Sequence, residues 1–152
     1  MAQRRVELSY QNHIMDSYKI AGGRAKKWAS EWQKGVPDLI ASLHGVGVHL
    51  VEVKHVPTFD RTKTIKNPLQ PKQKQECRDY IEAGGLVMGF LVCGPSVIKS
   101  ELFVFNPCAD LLDGASMPSV PYRLKAKYDL RPAIRTHMFH MGLRDDDSPE
   151  TD

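Results

Sequence analysis

The sequence predicts a single α/β domain in which helices flank a mixed central sheet. Near the N-terminus, apolar residues recur at the four-residue spacing of an amphipathic helix. Two short apolar segments then flank a glycine-containing turn, and a second helical segment leads into a continuous apolar run. Two strands joined through a helix are typically parallel. We therefore predict a helix, three strands, a second helix and a fourth strand, in one domain over residues 1–144.

The first helix is predicted over residues 5–21, because Gly22 and Gly23 follow it and would end it. Its apolar stripe consists of Val6, Tyr10, Ile14 and Tyr18. Residues 24–30 follow as a candidate first strand, and residues 31–35 as a loop.

The second and third strands are predicted over residues 38–43 and 48–54. Residues 44–47 join them and contain two glycines, as hairpin turns often do. One face of this hairpin would belong to the core, because it carries Leu39, Ala41, Val51 and Val53.

The register of the hairpin predicts a group of three charges on its other face. If Leu43 pairs with Gly47, the same register places Asp38 opposite Glu52. Side chains alternate along a strand, so Lys54 lies on the same face as Glu52. Two carboxylates and one amine are thus expected to meet.

Two carboxylates at one strand spacing repel each other unless a cation lies between them. Hard oxygen ligands suit a divalent ion such as Mg²⁺ or Mn²⁺, which also binds water and phosphate oxygens. A phosphodiester is therefore the expected substrate, and Lys54 would orient the attacking water or stabilise charge on the phosphate. The alternative is that Glu52 and Lys54 form an ordinary surface ion pair and that Asp38 only follows a proline at a turn.

Residues 55–70 are polar, basic and bounded by prolines, and we expect a loop that grips or covers a substrate. A second helix is predicted over residues 71–83, because proline is tolerated in a first turn and two glycines follow. Lysines at its start oppose the helix dipole, and an anionic ligand would remove the conflict. Residues 86–93 and 99–105 have the apolar composition of strands.

The sequence of the C-terminal third indicates fewer helices and strands. We expect a short helix near residues 109–112 and a strand at residues 122–126, and we assign no element to residues 127–144. His137 and His140 have helical spacing, but no third metal ligand is evident, so we expect them in the core or on the surface. Residues 145–152 are expected to form a disordered acidic tail.

The net charge of +3 hides a more basic body. Without the five acids of the tail, 21 basic residues stand against 13 acidic ones, which is a net charge of +8. Such a surface attracts polyanions. Each base can also be an ordinary solvated residue. The candidate nucleic-acid contacts are Lys26, Lys27, Arg61, Lys63, Lys66, Lys72 and Lys74.

The three cysteines, Cys77, Cys93 and Cys108, lie far apart and form no Cys-x-x-Cys pair. We expect buried, reduced thiols and no structural zinc site. The longest apolar run is too short to cross a membrane, and the N-terminus lacks the apolar segment of a signal peptide. We therefore expect no membrane partner and an intracellular, cytoplasmic location.

Three segments together resemble a known set of nuclease motifs. They are Gly35-Val36-Pro37-Asp38-Leu39-Ile40, Glu52-Val53-Lys54, and Pro71-Lys72-Gln73 at the start of a helix that ends at Ala83-Gly84-Gly85. In their order and spacing they resemble the PD-(D/E)XK nuclease superfamily and, within it, the virus-type replication-repair nuclease (VRR-NUC) domain. The resemblance covers about residues 5–95, and the stand-alone virus-encoded members are the most similar in size.

The resemblance implies a restriction-endonuclease-like core of order α-β-β-β-α-β and magnesium-dependent hydrolysis of DNA. It implies that Asp38, Glu52 and the Val53 carbonyl bind the metal, and that Lys54 is the catalytic base or stabiliser. It also implies two further catalytic-site residues, Glu7 as an acid of the first helix and Gln73 as a polar group of the second. Small relatives often act as homodimers on four-way (Holliday) junctions or other branched DNA, in bacterial or phage-infected cells.

Several functions stay open on the sequence. The first is a structure-selective endonuclease of branched DNA, acting in recombination or repair. The second is a nicking or sequence-preferring nuclease, and the third is a DNA-binding module without activity on the same scaffold. A domain of unrelated function is a fourth. The three grouped charges favour catalysis, because binding alone has no need of groups that repel or desolvate one another.

Overall fold

The computed structural model describes residues 2–28 and 35–143, and the side chains from residue 6 onward. Within these ranges the helices are α1 (Ala2–Ile20), α2 (Pro71–Glu82) and α3 (Leu130–His140). The strands are β1 (Arg24–Lys27), β2 (Leu39–Leu43), β3 (Gly47–Val56), β4 (Thr64–Lys66), β5 (Val87–Cys93), β6 (Glu101–Phe105), β7 (Leu111–Asp113), β8 (Ser119–Arg123) and β9 (Lys127–Tyr128).

Seven strands form one mixed sheet in the order β1-β2-β3-β5-β6-β8-β9. Strands β3 and β5 are parallel, and the other neighbours are antiparallel. The connection from β3 to β5 runs through α2, as predicted. Apart from β4, which lies in a separate small sheet, the order α1-β1-β2-β3-α2-β5 confirms the predicted α/β core with its mixed sheet and flanking helices.

Each face of this sheet carries its own apolar core. Helices α1 and α3 cover one face, where residues such as Ile14, Phe90 and Ile134 are fully buried. Helix α2 and the small sheet of β4 and β7 cover the other face, where Cys77 and Leu91 are buried. The central strands β3 and β5 therefore lie between two layers.

All three helices end in the same way, at a glycine with a left-handed backbone. In α1 this residue is Gly22, with a φ of 84°, and the N–H of Gly23 donates to the carbonyl of Tyr18 at 2.8 Å. Gly84 and Gly142 occupy the same place after α2 and α3. A residue with a Cβ is strained in this left-handed backbone conformation, and glycine is not. Each helix therefore ends where a glycine allows the chain to turn away.

The predicted loop at residues 55–70 is only partly a loop. It contains β4, which pairs with β7, and the Asn67 side chain donates hydrogen bonds to the carbonyls of Pro107 and Ala109. The short helix expected near residues 109–112 was wrong for the same reason. Leu112 is buried in β7 as part of this pairing, and the chain is extended there.

The C-terminal third differs from expectation in two further ways. The strand expected at residues 122–126 is displaced toward the N-terminus, as β8, and a turn separates it from β9. Helix α3 occupies a region for which no element was assigned. His137 is buried on this helix and His140 is exposed, in agreement with the expected core or surface placement.

The three cysteines are free thiols. Cys77 is buried as predicted, but the prediction was wrong for Cys93 and Cys108, which are partly exposed. Among the described helices, none is both long and apolar enough to cross a lipid bilayer. The last residues of the expected first strand and the acidic tail at residues 145–152 lie outside the described residues.

Candidate active site

The hairpin of β2 and β3 brings Asp38 and Glu52 together. Leu39 pairs with Val51, and Leu43 pairs with Gly47, which confirms the predicted register. Asp38 directly precedes β2 and is therefore opposite Glu52. The two carboxyl groups lie close enough for each to shift the pKa of the other.

A backbone contact fixes the orientation of Asp38. Its Oδ2 atom accepts a hydrogen bond from the N–H of Val53 at 2.8 Å. This bond lies between neighbouring strands, so the position of the carboxyl depends on the sheet itself and not on a flexible loop. One hydrogen bond thus joins the Pro37-Asp38 segment to the Glu52-Val53 segment.

Burial and mutual repulsion control the charge of this pair. Glu52 is only 1% exposed, and burial, followed by the negative charge of Asp38, raises the pKa of its carboxyl. Burial also raises the pKa of Asp38. One proton shared between the two groups, or a bound cation, would relieve the repulsion.

One oxygen of the pair has no protein partner. Glu52 Oε2 is buried and accepts no hydrogen bond from the described residues. A buried carboxylate oxygen without a partner is costly, and a bound cation would satisfy it. The donor set of two carboxylates fits a hard divalent cation. The described residues contain no group of three or more His, Cys, Asp or Glu side chains that could bind a metal, so backbone, water or substrate oxygens would complete the coordination.

Sequence reasoning did not foresee how deeply Glu52 is covered. Gly89 of β5 lies beside it in the parallel register, and a Cβ at Gly89 would be 2.4–2.6 Å from ring carbons of Phe105. The Phe105 ring therefore lies directly over this backbone. The buried Cys77 of α2 is also close to the pair. Burial raises the pKa of its thiol to about 12, and the negative charges of Glu52 and Asp38 contribute to this rise.

Lys54 and Glu7 lie close enough to act on both carboxyl groups. Lys54 is half-buried on the same face of β3 as Glu52, and its positive charge lowers the pKa of both carboxyls. Glu7 is half-buried on α1, and its negative charge raises both pKa values. The structure therefore places the four predicted acidic and basic side chains in one electrostatic group.

Gln73 has a structural contact that the sequence did not indicate. Its side-chain oxygen accepts a hydrogen bond from the N–H of Gln70 at 2.9 Å, at the start of α2. The first turns of α2 approach the segment before Asp38, because a Cβ at Gly35 would be 3.0 Å from Lys72 Cγ. Gln73 thus stabilises the start of α2, and its role in the site stays a prediction.

The predicted nucleic-acid contacts fall into two groups. Three of them form ion pairs, Arg61 with Glu101 at 3.3 Å, Lys63 with Asp60 at 3.9 Å and Lys74 with Asp110 at 3.2 Å. These partners reduce the positive charge available to a ligand. The other candidates are exposed on β1, β4 and the first turn of α2, and they are Lys26, Lys27, Lys66 and Lys72.

A comparison with protein-family models found no match to this chain, and a comparison with curated proteins found none. Among solved structures, a protein described as a VRR_NUC domain aligns at 26% sequence identity. The alignment covers 58% of this chain and 83% of that one, with a TM-score of 0.40. Hjc, a Holliday junction resolvase of Archaeoglobus fulgidus, aligns at 14% identity over 66% of this chain and 76% of its own, with a TM-score of 0.48.

The motif segments of the sequence resemble those of the VRR-NUC domain. The observed order of helices and strands and the meeting of Asp38, Glu52 and Lys54 on the central strands agree with that resemblance. The chain therefore has the mixed α/β core that the resemblance implies, with the motif residues Asp38, Glu52 and Lys54 in one place.

Proposed function

We propose that this protein is a DNA endonuclease that depends on a divalent cation and cuts branched DNA. The observation that carries the proposal is the buried pair of Asp38 and Glu52, with Lys54 beside it and one Glu52 oxygen without a partner. A purely structural role does not explain this arrangement, because a buried pair of acids destabilises a fold unless something binds it.

The side chains divide the chemical work. Asp38 and Glu52, with the Val53 carbonyl, would hold Mg²⁺ or Mn²⁺. Such a cation supplies Lewis acidity and makes bound water more acidic. Lys54 donates hydrogen bonds to the attacking water or to the phosphate oxygens, where negative charge grows during the reaction. Glu7 adds a further acceptor at the edge of the site.

Charge and the names of the similar structures support DNA as the substrate. Residues 1–144 carry +8, and exposed lysines lie on β1, β4 and α2. One similar structure is a Holliday junction resolvase, and we propose a branched substrate for this chain as well. A second copy of the chain would supply a second site, so that two strands are cut symmetrically. The proposed location is the cytoplasm.

The test is a cleavage assay on labelled single-stranded, duplex, flap and four-way junction DNA, with and without Mg²⁺. We expect paired cuts on the junction that need Mg²⁺ and that are lost in Asp38→Ala, Glu52→Ala and Lys54→Ala. Glu82→Ala, which removes an exposed acid at the end of α2, is the matched control and should cut normally.

The other outcomes separate the alternatives. Cuts confined to duplex of particular sequence would favour a sequence-preferring or nicking nuclease. Binding of DNA with no cleavage under any condition would favour a module without activity. Full Mg²⁺-dependent activity in all three alanine variants would disprove the proposed mechanism.

A further inference from the structure

An exposed tryptophan lies in the same cross-strand row as the two carboxylates. Lys26 pairs with Ile40 and Lys27 with Leu39, so the register of β1 and β2 continues to Trp28 opposite Asp38. The N–H of Trp28 donates to the carbonyl of Asp38 at 2.8 Å, which confirms this continuation. Residues that are directly opposite in antiparallel strands have side chains on the same face. Trp28, Asp38 and Glu52 therefore form one row on one face.

The register gives the backbone distance between Trp28 and the two acids. Neighbouring strands are about 4.8 Å apart, so Trp28 is one strand from Asp38 and about 10 Å from Glu52 at the backbone. β1 is an edge strand of the sheet. The row therefore begins at the open edge with an indole ring and ends inside the sheet with the buried carboxylates.

Trp28 is not part of the apolar interior of the described structure. It is 43% exposed, and neither of the two cores includes it. The two residues before it on the strand are both lysines. Lys26 is exposed on the same face, about 7 Å along the strand, and Lys27 is exposed on the other face.

We infer that Trp28 stacks on an unpaired base of the DNA that is cut at the Asp38–Glu52 site. This inference rests on the proposed nuclease function and adds a specificity-determining residue to it. An exposed aromatic ring beside lysines is the combination that binds single-stranded nucleic acid, with the ring on a base and the amines on phosphates. A base in a continuous duplex is stacked on both faces, whereas a branch or a bulge offers a free face.

Stacking by Trp28 would give even a single copy of the chain a preference for branched DNA. Stacking adds affinity only where a base is already free of its neighbours, so the ring favours junctions, bulges and single strands over continuous duplex. The lysine charges act on all DNA equally. Trp28 and Lys26 should therefore have separable effects on binding.

The first experiment uses the fluorescence of Trp28. The chain has two tryptophans, so Trp32→Phe leaves Trp28 as the reporter. The full-length variant is titrated in EDTA with a bulged duplex that has unpaired thymines and with a continuous duplex of the same arms. Gels check that the DNA stays intact. We expect the bulged DNA to quench the fluorescence strongly and the continuous duplex to quench it weakly.

The second experiment measures affinity against salt concentration. Trp28→Ala should weaken binding to the bulged DNA and the four-way junction about tenfold and leave the salt slope unchanged. Trp28→Phe keeps a ring and should retain most of the affinity. Lys26→Ala should weaken binding to all DNAs and lower the salt slope by about 0.9. Leu124→Ala, an exposed apolar residue on the loop before β9, is the control for general surface effects.

The outcomes distinguish this inference from the proposed function. Normal affinity of Trp28→Ala for every DNA, or equal losses on bulged and continuous duplex, would overturn the stacking role while cleavage by the parent chain stands. Circular dichroism checks that the variants fold, and Trp28→Phe provides a second, conservative test. If the parent chain neither binds nor cuts any DNA, the proposed function and this inference both fail.

Discussion

The carboxyl group of Asp38 accepts the backbone N–H of Val53 at 2.8 Å, so one acid of the site is held by the strand that carries the other. This bond places Asp38 and Glu52 at a fixed separation before any ligand binds. The site is therefore preorganised by the sheet. A bound cation would complete the site, because Glu52 Oε2 is buried and has no protein partner among the described residues.

Metal binding should stabilise the folded protein. A ligand that binds only the folded state at a hundredfold excess over its Kd adds about 2.7 kcal/mol to the free energy of unfolding. We expect Mg²⁺ or Mn²⁺ to raise the Tm of the parent chain and not of Asp38→Asn or Glu52→Gln, as measured by thermal unfolding. Glu82→Gln should behave as the parent does. The same metal-induced shift in Glu52→Gln would contradict the assignment of this metal site.

Lys54→Ala should reduce cleavage far more than binding. Removing one donor that stabilises transition-state charge typically lowers kcat by about 10²- to 10³-fold. We expect such a loss in single-turnover cleavage of junction DNA, with a Kd within a few-fold of the parent value. Lys125→Ala, an exposed lysine between β8 and β9, should cut normally. An equal loss of affinity and rate would make Lys54 a binding residue only.

His137 should make stability depend on pH. Burial, with a smaller effect of the nearby His140, lowers the pKa of His137 to about 4. The unfolded chain therefore binds a proton near pH 6.5 that the folded chain binds only near pH 4. Between these values the free energy of unfolding falls as the pH falls, by on the order of 2 kcal/mol from this residue.

The measurement is urea unfolding of the parent and of His137→Gln across that range. Other groups also titrate there, so the quantity of interest is the difference between the two curves. His137→Gln should remove part of the pH dependence, and His140→Gln, at an exposed position, should leave it almost unchanged. Parallel curves for the parent and His137→Gln would contradict the prediction.

Gly89→Ala should destabilise the protein through one contact. The new methyl group would overlap the Phe105 ring beside Glu52, and overpacking of this kind costs about 1–3 kcal/mol. Chemical unfolding measures the loss. The double variant Gly89→Ala/Phe105→Leu tests the cause, because a smaller side chain makes room for the methyl group. If the two single losses simply add in the double variant, the residues are not coupled through this contact.

The sequence alone determined the elements whose bounds and register follow from side-chain periodicity and from turn glycines. The alternation in β2 and β3 and the glycines at the turn define the register, and the register alone brings Asp38, Glu52 and Lys54 to one face. The glycines after α1 and α2 likewise define where those helices end. In these segments neighbours in sequence are also neighbours in space, so periodicity is enough.

Helix α3 was not predicted, because its apolar stripe is hard to recognise. Pro132 lies in its first turn, and one of its buried positions is His137. Proline is acceptable in a first turn, and a neutral histidine can be buried. The sequence alone does not show that Pro132 falls in a first turn or that His137 is buried. Strand β7 was mistaken for a helix since it exists only by pairing with β4, more than forty residues earlier.

Tertiary structure alone decided the environment of the acids. The sequence placed Glu52 opposite Asp38, but it did not show that the Phe105 ring, Gly89 and helix α2 would cover that face. Burial of a charge depends on which distant segments pack over it, whereas register depends on side-chain alternation along the strand itself. For this reason the members of the site could be named from the chain, while the raised pKa of Glu52 and the placement of Trp28 in its row became visible only in the folded sheet.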